Sequence, residues 1–230
     1  MDTESAQQAP VGLSISPKTY TYALHEDPHR AVAPPTANGE TLLTRGRFSY
    51  FHYGCDGHQD AGWGCGYRTL QTAISWLINK RSQAAQQVPS IREIQQILIE
   101  LGDKPASFGG SRDWVGTLEE FYVIDALFQL PCKILHTKEL CAEEVLQQIR
   151  NYFVEYAGFI PMGGLSDAAS KGIAGWHGTP TGEVYLLIVD PHYAGVPESK
   201  QQLIDSGYVR WMHTSELQAS AYNLCLMLQQ

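Results

Sequence analysis

Residues 62–69 read Gly62-Trp63-Gly64-Cys65-Gly66-Tyr67-Arg68-Thr69, and this stretch decides the fold. Apolar residues recur behind it at steps of three and four, which predicts a helix that begins near Cys65. The unpaired N–H groups and the positive dipole end of a first helical turn favour a thiolate, the reactive form of cysteine. The flanking glycines allow a tight bend and the close approach of a substrate chain. We therefore interpret Cys65 as a catalytic nucleophile and not as a small buried residue.

The other four cysteines have no such setting. Cys132, Cys141 and Cys225 lie in apolar runs and are interpreted as packing residues, whereas Cys55 lies in a glycine-rich loop and stays open as a secondary reactive thiol. The sequence contains no Cys-x-x-Cys pair, and its cysteine spacings match no zinc site. We expect no metal and no cofactor.

The composition is that of a globular protein. The 230 residues are 43% hydrophobic and 17% charged, with a formal net charge of −8. A nucleic-acid binder needs a basic surface to displace counterions, so this balance argues against nucleic acid as a partner. The sequence shows no secretory signal and no apolar run long enough to cross a bilayer. We expect a cytoplasmic protein, with the nucleus as a further location, because thiols stay reduced there.

Two parts of the chain differ in pattern. Residues 1–40 are rich in Pro, Thr, Ala and Gln without a sustained period, which predicts a flexible N-terminal tail, although residues 13–22 could dock as an extended strand. Residues 41–230 are predicted to form a single domain.

Within this domain, helices are predicted mainly first and strands mainly last. Capping boxes formed by Ser90 with Glu93 and by Thr117 with Glu120 predict two helix starts. A further helix is expected at 142–156, and strands at 48–53, 133–136, 184–190, 208–213 and 222–228. This order indicates an α+β fold with a mostly antiparallel sheet.

A cysteine nucleophile needs an imidazole base, and the imidazole needs a partner that fixes its tautomer. Asp190-Pro191-His192 follows the most apolar run of the chain. Residues two apart on an extended backbone face the same side, and Pro191 keeps the segment extended, so the carboxylate can reach the imidazole. The alternative is an ordinary strand-ending turn. His177, in a glycine-rich loop, is the rival base, although no acidic residue lies two or three positions away.

Acyl transfer also needs hydrogen-bond donors where the carbonyl oxygen gains charge. The backbone N–H of Cys65 is one. Gln59, six residues earlier, has the spacing of the glutamine in papain-like enzymes, and Tyr53, twelve residues earlier, ends an aromatic-rich segment. Chemistry alone does not decide between the amide and the phenol.

Several strings of the chain are informative when taken together. Besides residues 62–69 they are Tyr53-Gly54-Cys55-Asp56-Gly57, Phe108-Gly109-Gly110-Ser111-Arg112-Asp113-Trp114, Ser170-Lys171-Gly172-Ile173 and Asp190-Pro191-His192-Tyr193. In combination they resemble the ubiquitin-fold-modifier-specific proteases, a papain-like family, over nearly all of residues 45–230. The autophagy modifier proteases share the Asp-Pro-His segment but not the remaining strings.

The resemblance implies a role for each matching residue. It places the nucleophile on Cys65, the general base on His192, the carboxylate that orients this base on Asp190, and the oxyanion donor on Tyr53. Gln59 then becomes a loop residue. The resemblance also implies a papain-like fold, in which a helical part carrying the nucleophile packs on a mostly antiparallel sheet carrying the Asp-Pro-His segment. The chain looks like a short member of the family, with a catalytic domain and little else.

The resemblance further implies a thiol protease that hydrolyses the bond after the C-terminal glycine of a ubiquitin-fold modifier. Such an enzyme matures the modifier precursor and releases the modifier from conjugated lysines, so both forms are expected partners. Two alternatives stay open. One is a catalytically silent module that binds the modifier, against which the intact Cys65, Asp190 and His192 argue. The other is a protease for a different ubiquitin-like modifier, of the autophagy type.

Trp114 is the expected substrate-binding residue. It lies between Gly109-Gly110 and Gly116, and a large indole in a glycine-rich loop is seldom placed for packing alone. A modifier that ends in glycine presents a thin, extended tail, and an aromatic wall over that tail would exclude bulkier residues. The alternative is a core aromatic residue just before a helix.

Overall fold

The computed structural model of the protein describes residues 15–83, 86–164, 169–217 and 221–230. Its α-helices are α1 (Cys65–Lys80), α2 (Ile91–Glu100), α3 (Thr117–Phe128), α4 (Glu143–Glu155) and α5 (Lys200–Asp205). Its strands are β1 (Glu40–Leu43), β2 (Cys132–Thr137), β3 (Ile160–Gly164), β4 (Ser170–Gly178), β5 (Val184–Val189), β6 (Val209–His213) and β7 (Tyr222–Met227). Among the described residues, no helix combines the length and the apolar character that a membrane span requires.

The strands form one sheet, in the order β2-β7-β3-β4-β5-β6. Strands β1 and β3 lie on the same edge of β4. Strand β3 pairs with the first half of β4, and β1 pairs with its second half. Every pair of these strands is antiparallel. The predicted α+β class with a mostly antiparallel sheet is therefore confirmed.

The central strands of the sheet are buried on both faces. Successive residues of a strand point to opposite faces, and β7 shows this clearly. Its Cys225 and Met227 pack in the cluster formed with α1, α2 and α3, whereas Leu224 and Leu226 pack in the cluster formed with α4. Because apolar side chains fill both faces, the sheet is a rigid platform on which α1 is fixed.

Two predicted helix starts are confirmed. Helix α1 begins at Cys65, directly after Gly64. Helix α2 follows the predicted capping box: Ser90 Oγ accepts a hydrogen bond from the Glu93 N–H at 3.3 Å, and the Glu93 carboxylate accepts one from the Ser90 N–H at 2.7 Å. These bonds satisfy backbone donors that the first turn leaves unpaired.

The predicted capping box at Thr117 is wrong by one residue. Gly116 precedes α3, and the carboxylate of Glu119 accepts a hydrogen bond from its N–H at 2.9 Å. The Thr117 hydroxyl instead donates to the carbonyl of Asn223 on β7, at 3.2 Å. Glu120 is buried beneath the helix, where it cannot reach back to a cap.

The aromatic segment at 48–53 is not a strand of the sheet. Two of its backbone donors bond to side chains of α1, Ser49 N–H to Ser75 Oγ at 2.9 Å and Phe51 N–H to Thr72 Oγ1 at 3.1 Å. The strand prediction failed here because a helix supplies the partners that a neighbouring strand would supply.

The glycine-rich loop predicted around His177 is instead part of strand β4, which contains Gly172, Gly175 and Gly178. Side chains are excluded at these positions. A Cβ at Gly172 would overlap the ring of Phe159, and one at Gly175 would approach the side chains of Leu43 and Trp211. Neighbouring strands on both edges hold β4 in place despite its weak strand propensity.

The described part of the predicted tail, residues 15–40, lies against the domain. His29 is fully buried and stacks on Phe48, with ring centroids 4.6 Å apart, and the Asp27 N–H donates to the Phe48 carbonyl at 2.9 Å. Aromatic side chains give this segment the apolar area that its Pro-, Thr- and Ala-rich composition obscured. Residues 1–14 lie outside the described residues, and the domain boundary near residue 41 stays a prediction.

Candidate active site

Cys65 is the first residue of α1, and its side chain is 8% exposed. Its own N–H belongs to the first turn, where no carbonyl of the helix can pair with it. The two glycines beside it are needed for packing within the protein. A Cβ at Gly64 would overlap the side chain of Asp60, and one at Gly66 would overlap the carbonyl of Val115. The sequence had suggested that they give a substrate chain access, whereas here they fit Cys65 between two loops.

A buried arginine fixes the loop that joins Tyr53 to Cys65. The Arg68 guanidinium is fully buried and donates from Nε to Asp60 at 2.8 Å and from Nη2 to Asp56 at 2.7 Å. The Asp60 carboxylate also accepts from the Gly54 N–H at 2.8 Å, and its backbone carbonyl accepts from the Gly64 N–H at 2.8 Å. Asp56 and Asp60 of the loop are thus tied to one residue of α1 by charge-assisted hydrogen bonds, and Asp60 in turn holds the backbone at Gly54 and Gly64.

Asp190 and His192 follow the end of β5. The imidazole Nδ1 lies 2.5 Å from Asp190 Oδ1, and the backbone N–H of His192 donates to the same oxygen at 3.0 Å. Because Nδ1 is held by the carboxylate, Nε2 is the nitrogen that faces Cys65, with which the imidazole shares a hydrogen bond. The predicted reach across Pro191 is present in the structure.

The pKa values of the pair move in opposite directions. Burial raises the pKa of the Cys65 thiol, but hydrogen bonds from His192 and from the backbone N–H of Ser170 lower it by more, so the net pKa falls below the ordinary value. Burial lowers the pKa of His192, but hydrogen bonds to Asp190 and Cys65 raise it to about 9. At neutral pH the geometry therefore favours a thiolate beside an imidazolium.

Tyr53 completes the cluster. Its hydroxyl shares a hydrogen bond with the Cys65 thiol, and its ring meets the imidazole of His192 edge-to-face, with centroids 5.2 Å apart. Burial, followed by the nearby Cys65 charge, raises the pKa of Tyr53 above its ordinary value, so the phenol keeps its proton and can donate it. Gln59, the other oxyanion candidate, is an exposed residue of the loop.

Sequence reasoning missed two contributors from β4. The backbone N–H of Ser170 bonds to the Cys65 thiol, and the Lys171 ammonium lies 3.4 Å from Asp190 Oδ2. Burial raises the pKa of Asp190, but the bonds from His192 and the charge of Lys171 outweigh it and lower the pKa. The string Ser170-Lys171-Gly172-Ile173 was the only sequence signal for them, because their place depends on the pairing of β4 with β3 and β5.

The other candidate side chains lie elsewhere. His177 is on β4, where its ring nitrogens bond to the hydroxyls of Thr36 at 2.9 Å and Thr41 at 2.7 Å. Cys55 is fully buried, and this burial raises the pKa of its thiol to about 11, which disfavours a thiolate. In the described part of the chain, no three His, Cys, Asp or Glu side chains are grouped so as to hold a metal ion.

A groove of about 300 Å³ opens beside Cys65. We call it the glycine groove, and its lining residues are Cys65, Trp114, Val115, Gly116, Gly163, Gly164, Ala169 and Ser170. Trp114 is 55% exposed, so it is no core residue. The indole forms one wall, and small residues form the rest.

Comparison with known proteins defines the class. The model of peptidase family C78 matches residues 39–225. The chain is 61% identical over 226 residues to the probable Ufm1-specific protease 1 of Drosophila melanogaster, covering 98% of this chain and 96% of that protein. It is 37% identical over 211 residues to the Ufm1-specific protease 1 of Mus musculus, covering 89% and 94%.

A solved structure agrees with this family assignment. The crystal structure of UfSP from C. elegans superposes with a TM-score of 0.75 at 31% sequence identity, over 90% of this chain and 38% of that one. The chain belongs to peptidase family C78 and is a cysteine protease with a papain-like α+β fold.

The pair of shifted pKa values predicts a distinctive pH dependence. Alkylation of Cys65 by iodoacetamide should stay fast well below the ordinary pKa of a thiol, because the thiolate persists there. Turnover should fall as the pH rises above about 9, where His192 loses its proton. Rates of both reactions measured from pH 5 to 10 test this. An alkylation rate that rises only near the ordinary pKa of a thiol would contradict the ion pair. In His192→Ala, the alkylation rate should rise in that higher pH range.

Proposed function

We propose that this protease hydrolyses the peptide or isopeptide bond after the C-terminal glycine of Ufm1, a ubiquitin-fold modifier. It thereby matures the Ufm1 precursor and releases Ufm1 from conjugated lysines. The proposal rests on one observation: Cys65, His192 and Asp190 are hydrogen-bonded in sequence, and Cys65 lines a groove that is rich in glycines. The names of the relatives supply the modifier.

In the first half of the reaction, the Cys65 thiolate attacks the carbonyl carbon of the terminal glycine. The oxygen that gains charge accepts hydrogen bonds from the Tyr53 hydroxyl and from the Cys65 N–H. His192 passes its Nε2 proton to the leaving amine, and the C–N bond breaks to leave a thioester on Cys65.

In the second half, a water molecule attacks the thioester. Neutral His192 takes a proton from this water, the C–S bond breaks, and the modifier leaves with a free carboxylate. Asp190 keeps the Nδ1 proton in place and stabilises the imidazolium in both halves. Lys171 lies on the other carboxylate oxygen and keeps Asp190 ionised.

The shape of the glycine groove favours a glycine-ending substrate. Gly116, Gly163 and Gly164 project no side chains into the groove, so an extended substrate backbone can approach their backbone closely. A thin tail fits such a channel, whereas a bulky residue beside the scissile bond does not.

Removing the phenol of Tyr53 should slow the chemical step. We expect Tyr53→Phe to lower kcat by about 10²-fold with little change in KM, since the oxyanion forms only in the transition state. Steady-state kinetics on a Ufm1 precursor measure both constants. Gln59→Ala is the control. If Gln59→Ala is the damaging change and Tyr53→Phe is mild, the oxyanion assignment is wrong.

Trp114→Ala should impair substrate handling and leave the fold intact. The exposed indole lines the groove, so we expect kcat/KM to fall by about tenfold, or selectivity for glycine to relax. The free energy of unfolding should change by no more than about 0.5 kcal/mol, as for other surface substitutions. Leu118→Ala, a 50% exposed residue on α3, is the matched control. Strong destabilisation with normal turnover per folded molecule would remove Trp114 from the substrate site.

The proposed activity is tested with a panel of modifiers. Ufm1, ubiquitin and an autophagy-type modifier, each carrying a C-terminal electrophile, are incubated with the protein, and adducts are located by mass spectrometry. We expect an adduct at Cys65 with Ufm1. Binding of Ufm1 without an adduct would indicate a silent module. A faster reaction with the autophagy-type modifier would indicate the other protease class.

Turnover of the precursor and of an isopeptide-linked conjugate should then be compared, because both bonds fit the same chemistry. The predicted cytoplasmic and nuclear location, and the absence of nucleic-acid partners, stay predictions.

A further inference from the structure

Two chain segments that carry parts of the active site run side by side. Residues 50–53 lie along residues 190–194, where the Tyr50 hydroxyl donates to the Asp190 carbonyl at 2.5 Å and the Tyr53 N–H donates to the Pro191 carbonyl at 3.1 Å. Tyr53 also forms an isolated parallel bridge with Ala194. The relative position of the Tyr53 hydroxyl and the His192 imidazole depends on how firmly these segments are joined.

His52 lies across this junction and is fully buried. Its Nδ1 is 3.0 Å from the Tyr53 carbonyl and 3.1 Å from the Tyr193 carbonyl. Carbonyl oxygens only accept hydrogen bonds, so Nδ1 carries the proton and Nε2 is the acceptor. Burial lowers the pKa of His52 to about 4, so the ring is neutral at physiological pH and holds this one tautomer.

The acceptor nitrogen of His52 is matched by a donor from the N-terminal segment. The Tyr22 hydroxyl is in hydrogen-bond contact with His52 Nε2, and the two rings stack with centroids 6.0 Å apart. Burial raises the pKa of Tyr22 above its ordinary value, so the phenol keeps the proton that it donates. Tyr22 thereby fixes the His52 tautomer in which Nδ1 donates to the carbonyls of Tyr53 and Tyr193.

The same N-terminal segment contacts both of these active-site segments at a second point. The carbonyl of His25 accepts from the Tyr50 N–H at 2.9 Å, and the His25 ring nitrogen Nε2 lies 2.9 Å from the Pro197 carbonyl. Residues 22–25 therefore contact the segment that ends at Tyr53 and also the loop that follows His192.

We propose that His52 is a positioning residue for Tyr53 and that the Tyr22 hydroxyl, by holding His52, makes the N-terminal segment a functional part of the active site. The inference rests on the proposed role of Tyr53 as an oxyanion donor. A hydrogen bond to the transition state is effective only while the donor keeps its place, and displacements of about 1 Å can cost as much as 10²-fold in rate.

A double-mutant cycle tests the inference. Tyr22→Phe removes one oxygen atom and keeps the ring, so the fold is preserved, and thermal melting checks this. Tyr20→Phe is the matched control. Tyr20 lies on the same segment and packs edge-to-face on Phe51 at 5.8 Å, and its hydroxyl has no hydrogen-bond partner in the part of the chain that the structure describes. The four proteins of the cycle are wild type, Tyr22→Phe, Tyr53→Phe and the double variant, assayed on Ufm1 precursor.

We expect Tyr22→Phe to lower kcat by about tenfold at unchanged KM, and Tyr20→Phe to behave as wild type. The maximal rate of Cys65 alkylation by iodoacetamide, reached at a pH where the thiol is fully ionised, uses no oxyanion donor and should be unchanged in Tyr22→Phe. In the Tyr53→Phe background, the further loss from Tyr22→Phe should disappear, because the residue that it positions has already lost its hydroxyl.

A damaging Tyr53→Phe with a silent Tyr22→Phe would overturn the positioning role alone. The same holds if Tyr22→Phe costs an equal factor in both backgrounds, or if it lowers the melting temperature while turnover per folded molecule stays normal. A silent Tyr53→Phe would overturn the oxyanion role itself and with it the premise of the inference.

Discussion

Cys65→Ser should abolish turnover, with kcat lower by at least about 10⁴-fold, while the melting temperature stays close to that of the wild type. A serine hydroxyl remains protonated where the thiol ionises, so the interactions that lower the pKa of Cys65 cannot generate a nucleophile from it. The side chain is small and nearly isosteric, so packing at the start of α1 is preserved. Cleavage of Ufm1 precursor by purified protein measures the loss.

Cys55→Ser is the matched control, because Cys55 lies in the loop that leads to Cys65 and is also buried. Its thiol lies 3.4 Å from an Arg68 nitrogen, yet burial raises its pKa and holds it protonated. We expect Cys55→Ser to retain turnover. Substantial cleavage by Cys65→Ser, or a folded but inactive Cys55→Ser, would move the nucleophile to the other cysteine.

His192→Ala should lower kcat by about 10⁴-fold, because it removes both the proton donor to the leaving group and the partner that lowers the pKa of Cys65. Asp190→Ala should cost roughly 10²-fold less, since the carboxylate orients the imidazole and transfers no proton. The two losses are compared by single-turnover kinetics, with folding checked by thermal melting.

His136→Ala serves as the control for removing an imidazole, because His136 is exposed on β2. It should leave kcat unchanged. An equal or larger loss from Asp190→Ala than from His192→Ala, in folded protein, would reverse the assigned roles.

The sequence was most informative where the structure depends on neighbouring residues. The starts of α1 and α2 were predicted because apolar periodicity and a capping box are local signals. Asp190 and His192 were paired correctly in space because a two-residue spacing with a proline between them determines the geometry locally. The resemblance to a known family placed Tyr53 beside them, and the structure brings its hydroxyl to the thiol.

The features that were not predicted from the sequence depend on contacts between distant parts of the chain. The surroundings of His177 were predicted as a loop because they are rich in glycine. In β4, Gly172 and Gly175 are instead required by packing against Phe159 and Leu43, which no local pattern reveals. Ser170 and Lys171 reach the site through the pairing of β4 with β3 and β5. The segment at 48–53 was predicted as a strand because it is rich in aromatic residues, but α1 supplies its backbone partners.

The candidate active site joins Cys65 on α1, early in the chain, to His192 beyond β5, late in the chain. During synthesis the cysteine therefore leaves the ribosome long before its imidazole partner exists. Contacts between such distant segments form late in folding, because closing the intervening chain costs entropy before any contact repays it. Until then the nascent chain carries a thiol of ordinary reactivity. Reactivity of Cys65 toward iodoacetamide at mildly acidic pH is consequently a reporter of completed folding.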